Sequence, residues 1–267
     1  MARAVDDALG RVAAWRPHAA VVYGSGLWAS PAGALVEEEL PYDILGWPTG
    51  GVPGHHNVLR LARVPLAGGR ELRLALACGR PHRYEGWTDA QLEAPVRSLA
   101  AAGVTRLLLT NACGALRPGA AVGCAVVCSG VVDLQRSPDG DTPERLPVCA
   151  DEDALRVARA LGSRAMGAAG TYVSVCGPQF ETPAEAAWLG RYADVVGMSA
   201  APEVRAAGES GVECCLLGLV ANVAAAVGSH EDVLAAGGDL ALLLAAELGT
   251  VLVTRWPELP DDRRERE

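Results

Sequence analysis

The chain has 267 residues, half of them hydrophobic, a formal net charge of -9 and only 4% aromatic residues. This length suits one large α/β domain, whose core must be built mainly from Ala, Val and Leu. The acidic balance argues against a nucleic-acid partner, because a surface that follows phosphates needs a basic face.

The eight cysteines show neither a C-x-x-C pair nor a Cys/His spacing typical of a metal site. We therefore expect free thiols in a reducing compartment and no bound metal. The first fifteen residues carry acids and lack an apolar run, so no secretory leader is predicted. The apolar stretch Leu240 to Val253 is broken by Glu247 and Gly249 and is too short to span a bilayer. The sequence predicts a cytoplasmic protein that contacts no membrane.

Short β-branched runs alternate with alanine-rich helical patterns, a rhythm typical of βαβ units. Strands are predicted at Ala19 to Tyr23, Val58 to Arg63, Glu71 to Ala77, Arg106 to Thr110, Ala125 to Val132, Gly170 to Val175, Val195 to Met198 and Cys214 to Val220. Helices are predicted at Asp6 to Ala14, Asp89 to Ala102, Asp151 to Leu161, Pro183 to Arg191, Pro202 to Ser210 and His230 to Arg255. The last helix should have Ser229 as its N-cap.

No repeat or low-complexity linker divides the chain, so we predict a single domain over residues 1–267 with a frayed tail from about residue 258. Its fold class is α/β, a three-layer fold with a central mixed, mostly parallel sheet flanked by helices. The segment Leu134 to Pro147 is rich in Pro, Asp, Gly and Arg and predicts a surface excursion. Ligands in such sheets bind at the carboxyl ends of the strands.

Two polar segments directly follow predicted strands. In Gly24-Ser25-Gly26 the glycines allow backbone N–H groups to approach an anion and Ser25 adds a hydroxyl, although a G-S-G turn also serves as simple βα punctuation. In the segment 79–86, Arg80 offers a planar fork of donors suited to phosphate and His82 a further donor. The alternative for this second segment is a loop whose charges face solvent, but loops after buried strands carry function.

Further polar groups end other apolar runs. Asn111, in the run Thr110 to Ala115, either caps the following turn or presents its amide to a ligand. Phe180 is the only Phe in the chain and stands beside Glu181 in a loop bounded by Gly and Pro. A ring next to a carboxylate suits a planar heterocycle, with a ring N–H accepted by the carboxylate. The alternative is a helix start at which Glu181 and Thr182 only cap.

Ser199 and Asn222 also follow apolar runs and supply a hydroxyl and an amide. An Asn side chain both donates and accepts, which fits the O6 and N7 edge of a 6-oxopurine. The sequence contains no G-x-S-x-G or H-E-x-x-H motif and no spacing typical of a Ser/His/Asp triad. A site rich in anion and heterocycle ligands but without an evident nucleophile fits a reaction in which phosphate itself attacks.

Taken in order, these segments resemble the trimeric purine nucleoside phosphorylases from about Tyr23 to Leu244. The matching pieces are GSGL (24–27), VPGHH (52–56), GRPHRYEGW (79–87), VTRLLLTNACGAL (104–116), GTYVSVCGPQFETPAE (170–185), VVGMSAAPEV (195–204) and SHEDVLAAG (229–237). The resemblance implies the nucleoside phosphorylase fold, a homotrimer, and a purine nucleoside and phosphate as substrates, with phosphate as co-substrate and no cofactor.

The resemblance also implies a role for each matching residue. Phosphate would be held by Ser25, His55, Arg80, His82, the backbone N–H of Ala112, and Ser199. The nucleoside would contact Tyr84, Phe180, Glu181, Met198, Asn222 and, at its 5′-hydroxyl, His230. Catalysis would depend on His82, Glu181 and Asn222, the last two stabilising the negative charge of the departing purine. Asn222 favours 6-oxopurines over 6-aminopurines, and His230 favours a 5′-hydroxyl over a 5′-methylthio group.

The sequence departs from the family pattern on the nucleoside side. Ala221 replaces the usual Thr, the stretch between Asn222 and His230 is shortened, and Gly123-Cys124 and Gly130-Val131 replace Gly-Asp and Asp-His pairs. The aromatic that a neighbouring subunit lends to the ribose should fall near Thr142, where none is present. The alternatives are therefore a phosphorylase for a modified or 5′-methylthio purine nucleoside, or a nucleoside-binding paralog with little turnover.

Overall fold

The structure is a computed structural model that describes residues 2–66, 69–136, 144–225 and 230–259. The helices are α1 (Ala2–Trp15), α2 (Asp89–Ala101), α3 (Asp151–Leu161), α4 (Pro183–Leu189), α5 (Ala201–Glu209) and α6 (His230–Arg255). The strands are β1 (Ala19–Tyr23), β2 (Leu35–Pro41), β3 (Val58–Pro65), β4 (Glu71–Cys78), β5 (Arg106–Ala115), β6 (Ala125–Asp133), β7 (Glu144–Pro147), β8 (Gly170–Ser174), β9 (Val195–Gly197) and β10 (Glu213–Val223).

All the strands belong to one mixed sheet, in the order β10-β6-β8-β9-β5-β1-β4-β3-β2, with β7 beside β6. The parallel pairings are β1 with β4 and β5, β5 with β10, β6 with β8, and β8 with β9. The other five pairings are antiparallel, so the two kinds are equally frequent among the described strands. Because β10 also pairs with β5, the strands β5, β10, β6, β8 and β9 close into a ring.

Helices cover both faces of the sheet and produce three layers. On one face, Val12 of α1, Leu99 of α2 and Val204 of α5 pack over strand residues such as Leu109. On the other face, α3 and α6 pack over residues of β1, β4, β5 and β10. The predicted α/β architecture with a mixed sheet between helices is therefore confirmed, but the prediction that the sheet is mostly parallel was wrong, because half of the pairings are antiparallel.

Local sequence explains where the shorter helices begin. At α2, the Gln91 N–H donates to Thr88 Oγ1 (3.4 Å) and the Thr88 N–H donates to Gln91 Oε1 (3.0 Å). Thr182 and Glu185 exchange the same pair of bonds at α4, at 3.3 and 2.7 Å. These are capping boxes, which satisfy N–H groups that a helix start leaves without partners.

The last helix, α6, is long and strongly apolar. The stretch Gly237–Arg255 of α6 would pass for a membrane span by length and composition alone. Its Leu240, Leu244, Leu248 and Val251 are almost completely buried in the core beside the sheet. This burial is what a core helix requires. The N-cap predicted at Ser229 lies outside the described residues.

Two strands were missed from the sequence, and several others were predicted to end too early, β5 and β10 by the most residues. Strand β2 carries three consecutive glutamates, which hide the alternation of a strand, and its pairing with β3 is irregular between Val36 and Glu38. The expectation of a surface excursion over Leu134 to Pro147 was wrong at its end, where β7 pairs with β6. Strands β5 and β10 run beyond their predicted ends, through Ala115 and Val223.

The last residues that the structure describes, Glu258 and Leu259, pack against the rest of the domain, which the sequence did not predict. Leu259 is buried among core residues, and the Arg106 side chain lies 3.0 Å from Glu258. Residues 258 and 259, where the frayed tail was predicted to begin, are therefore packed against the domain, and 260–267 lie outside the described residues.

Candidate active site

A cleft of about 500 Å³ opens where β1, β4 and β9 end, with β5 and β10 forming one wall. Of the residues predicted for the site, those that line it are Ser25, Arg80, His82, Tyr84, Ala112, Phe180, Glu181, Met198, Ser199 and Asn222. The parallel strands β1 and β4 end at the same edge of the sheet, and β9, which runs antiparallel to β5, ends beside the same part of β5, so these distant segments come together. The volume is within the range of small-molecule sites.

Arg80 and Ser199 form the floor of one end of the cleft. The Arg80 side chain is 2% exposed, and its Nη1 donates to the Thr110 carbonyl (2.9 Å) and to Ser199 Oγ (3.3 Å). Its Nε donates to Glu203 Oε1 (3.0 Å). A buried guanidinium needs such a carboxylate partner, because an uncompensated charge is costly to bury. This end of the cleft therefore presents a fixed positive group beside a hydroxyl.

The chain turns sharply directly after Ser199. Ala200 has φ 72° and ψ -39°, and the Ala201 N–H donates to the Ser199 carbonyl at 3.0 Å. This is a γ-turn with positive φ, a strained conformation that is rare for residues other than glycine. The Ala200 N–H donates to Glu203 Oε2 (3.1 Å), and the Ser174 hydroxyl donates to the Ser199 carbonyl (2.6 Å). The turn fixes the position of Ser199 just before the N-terminus of α5.

His55 lies behind Ser25 rather than on the cleft wall. Its Nε2 is 3.0 Å from Ser25 Oγ, and its Nδ1 accepts the Arg80 N–H at 3.3 Å. Burial, together with the nearby His82 and Arg80, lowers the pKa of His55 to about 3, so the ring is neutral. Since Nδ1 accepts, the proton must be on Nε2 and is donated to Ser25. The hydroxyl hydrogen of Ser25 is then free to point into the cleft.

Three rings form one stack along the cleft. The rings of His55 and His82 lie 5.4 Å apart at 15°, and those of His82 and Tyr84 lie 5.0 Å apart at 19°. Glu85 holds this segment, accepting the His82 N–H (2.7 Å) and the Gly51 N–H (2.6 Å). Burial acts to raise the pKa of Glu85, but bonds from His82 and Gly51 bring it below its usual value. Burial raises the pKa of Tyr84 to about 12.

The cleft is also lined by Phe180, Glu181 and Asn222. Phe180 is 39% exposed, which leaves a ring face accessible in a loop. Glu181 is partly buried, and this burial raises the pKa of its carboxyl group. The cap of α4 is built from Thr182 and Glu185, so Glu181 is left to line the cleft. The Asn222 amide donates to the Val223 carbonyl at 3.2 Å.

Asn111 had two interpretations, and the structure places it in β5 at the cleft, with Nδ2 3.5 Å from Ser199 Oγ. The structure also adds residues that sequence reasoning did not single out. Glu85 and Cys113 line the cleft, and Glu203 lies behind it. Glu203 is the third residue of α5, where a carboxylate often accepts a hydrogen bond from the backbone N–H of the N-cap residue. This position in the sequence could have indicated its role.

Two predictions of the site cannot be located. His230 begins α6, but its side chain is outside the described residues. The position near Thr142, where a neighbouring subunit's aromatic was expected and found missing from the sequence, falls in 137–143, which is also outside them.

Comparisons with known proteins agree with this geometry. The family model described as the phosphorylase superfamily matches residues 21–252. The purine nucleoside phosphorylase of Cellulomonas sp is 36% identical over 249 residues, which cover 89% of this chain and 87% of that protein. The purine nucleoside phosphorylase of Mycobacterium tuberculosis is 36% identical over 256 residues, covering 87% and 88%.

Solved structures give the same answer. Isoform 2 of the Schistosoma mansoni purine nucleoside phosphorylase, in complex with cytosine and ribose-1-phosphate, has a TM-score of 0.72 at 27% identity and covers 97% of this chain and 96% of its own. A schistosoma purine nucleoside phosphorylase in complex with hypoxanthine has a TM-score of 0.71 at 26% identity, covering 96% and 97%. The chain therefore belongs to the purine nucleoside phosphorylase family of the phosphorylase superfamily.

Proposed function

We propose that the protein is a purine nucleoside phosphorylase, a pentosyltransferase that reversibly splits 6-oxopurine ribonucleosides or 2-deoxyribonucleosides. Inosine and guanosine would react with phosphate to give free base and ribose 1-phosphate or its deoxy form. The observation that carries the proposal is one cleft lined both by anion donors, Arg80, Ser25 and Ser199, and by the base-binding candidates Glu181 and Asn222. The relatives' structures with hypoxanthine and inosine support the same substrate class.

The reaction follows from where charge develops. The bond from C1′ to the purine breaks with its electrons moving into the base, which leaves an oxocarbenium-like sugar. Asn222 and Glu181 stabilise the departing purine by hydrogen bonds that strengthen as its charge grows. Phosphate, held by Arg80, Ser25 and Ser199, forms a bond from one of its oxygens to C1′ and loses the proton of its hydroxyl group, and the departing purine gains one proton, so the reaction balances. Phosphate is the co-substrate, and the reaction uses no metal or organic cofactor.

Phosphorolysis of inosine with and without phosphate tests the reaction class. Hypoxanthine release, followed by a coupled absorbance assay, should require phosphate and saturate with it. Arg80→Ala should raise the KM for phosphate strongly. Glu93→Gln in α2 serves as the matched control, because Glu93 is paired with arginines but does not line the cleft. Release that does not depend on phosphate, or no release from any purine nucleoside, would contradict the proposal.

One observation favours a second candidate, a phosphorylase for a modified or 5′-methylthio purine nucleoside. Ala221, which replaces the usual Thr, is 7% exposed and offers no hydroxyl to the base. A comparison of inosine, guanosine, adenosine and 5′-methylthioadenosine separates the two candidates. A preference for inosine and guanosine supports the first, and a preference for 5′-methylthioadenosine supports the second.

Assembly and location complete the proposal. A homotrimer accords with the family resemblance, and light scattering should then give about three times the monomer mass of 27.6 kDa. A cytoplasmic location accords with eight cysteines that are all free thiols, five of them buried. A monomer in solution would contradict the first statement, and export of the tagged protein from its cells would contradict the second.

A further inference from the structure

Glu203 lies directly behind the anion-binding end of the cleft, and the reaction outlined above does not use it. It is 8% exposed, and its two carboxylate oxygens have different partners. Oε1 accepts from Arg80 Nε at 3.0 Å, and Oε2 accepts from the Ala200 N–H at 3.1 Å. One side chain therefore contacts two elements that are remote in sequence.

The first contact fixes the Arg80 guanidinium. With Nε directed at Glu203, Nη1 is directed at the Thr110 carbonyl and Ser199 Oγ. The planar guanidinium has no remaining freedom once these three bonds are made. An arginine side chain that becomes ordered only when a ligand binds loses conformational entropy at that step. Because Arg80 is already ordered in the folded protein, phosphate binding does not have to supply this free energy.

The second contact holds the γ-turn at Ala200. Alanine at φ 72° is strained, so the turn persists only because its surroundings hold it. The Glu203 carboxylate satisfies the N–H at the centre of this turn, and the turn sets the position of Ser199. The same carboxylate thus acts on both Arg80 and Ser199.

We propose that Glu203 is the positioning residue of the phosphate subsite, in which one buried carboxylate holds the Arg80 guanidinium and the strained Ala200 turn in the geometry that phosphate requires. The inference rests on the proposed phosphorolysis and adds to it a residue that does not touch phosphate. A preformed anion site of this kind needs no rearrangement when the ligand arrives.

Glu203→Gln is the discriminating substitution because it keeps the shape and removes one acceptor. The amide has one oxygen for two donors, and its NH₂ group then faces either Arg80 or the Ala200 N–H. We expect the KM for phosphate to rise about tenfold or more, as for the loss of one hydrogen bond to a charged group. The KM for inosine should change by less than about twofold, since the nucleoside end does not contact Glu203.

Calorimetric titration of the unliganded protein with inorganic phosphate gives a readout besides turnover, and its Kd should rise by the same factor. Glycine adopts positive φ freely, so the loss caused by Glu203→Gln should be smaller in an Ala200→Gly background. Glu93→Gln is the matched control: Glu93 is also buried and paired with arginines, including Arg205 of α5, but it does not line the cleft. Its phosphate KM should stay at the wild-type value, which separates the effect of Glu203 from a general loss of ion pairs on α5. If Glu203→Gln does not fold, Glu203→Asp, whose shorter side chain reaches one partner only, carries the same expectation.

The opposite result is equally defined. Glu203 also places a negative charge near the anion site, so a carboxylate with no positioning role would leave phosphate binding unchanged or tighter on neutralisation. Unchanged or tighter phosphate binding in Glu203→Gln, or an equal loss in the wild-type and Ala200→Gly backgrounds, would overturn the proposal. Failure of the proposed function would show differently, as a wild-type protein without phosphate-dependent release of base.

Discussion

Replacing His55 with alanine separates two roles for this residue, a direct ligand of phosphate or a group that orients Ser25. In the structure both ring nitrogens of His55 are engaged, one with Ser25 Oγ and one with the Arg80 N–H. Because the pKa of His55 is lowered to about 3, the ring carries no charge at neutral pH that would attract phosphate. We therefore expect His55 to act through the Ser25 hydroxyl.

The magnitudes follow from the kinds of hydrogen bond involved. Ser25→Ala removes one bond to charged phosphate, about 1.5–3 kcal/mol, which corresponds to a phosphate Kd about 10- to 150-fold weaker. His55→Ala leaves the Ser25 hydroxyl free to rotate and also removes the bond from the Arg80 N–H. Losing the neutral bond to Ser25 should cost about 0.5–1.5 kcal/mol or about 2- to 12-fold. In the double variant the loss should stay close to that of Ser25→Ala and well below the product of the two single losses, because the hydroxyl that His55 orients is gone.

The assay is phosphate titration by calorimetry, with the phosphate KM at saturating inosine as the kinetic counterpart. His56→Ala is the control, because His56 is exposed on the same loop. Losses that multiply in the double variant would refute the orienting role and would identify His55 as an independent phosphate ligand. Equality of the double variant with Ser25→Ala would establish the coupling.

Three further predictions concern pH, base recognition and packing. His55 is neutral in the folded protein because its pKa is about 3, against an ordinary value of 6.5. The free energy of unfolding should therefore fall as the pH falls from about 6.5 towards 3, by up to about 1.4 kcal/mol per pH unit. His55→Gln should flatten this decline in acid-denaturation curves. Glu181→Gln should lower kcat/KM for inosine about 10- to 100-fold and abolish the acid limb of the pH profile. Because burial raises the pKa of Glu181, this limb should lie above the ordinary pKa of a glutamate. If the limb is unchanged in the variant, it belongs to the titration of another group. A Cβ at Gly170 would stand 2.3 Å from Val126 Cγ1, so Gly170→Ala should cost about 1–3 kcal/mol in thermal unfolding and Val126→Ala should recover part of it, whereas additive losses would contradict the contact.

Sequence reasoning succeeded where the relevant physics is local. The amphipathic pattern of Asp151–Leu161 predicts α3 at its observed bounds, and Ser25 and Arg80 were identifiable because polar donors directly follow apolar strands. It failed where distant residues decide. Glu203 contacts Arg80 across 123 residues of chain, so this pairing could not be predicted from neighbouring residues.

The strand order restricts how copies of this chain can associate. Only β2 and β7 have a single partner among the described strands; β7 has four residues, and on β2 each of Glu37, Glu38 and Glu39 is paired with an arginine of the same chain. Another chain pairs poorly with an edge strand that is very short or that carries several charged side chains. Both features therefore protect a sheet protein against edge-to-edge aggregation. Copies of this protein should therefore associate through helices and loops, without extending the sheet from one molecule to the next.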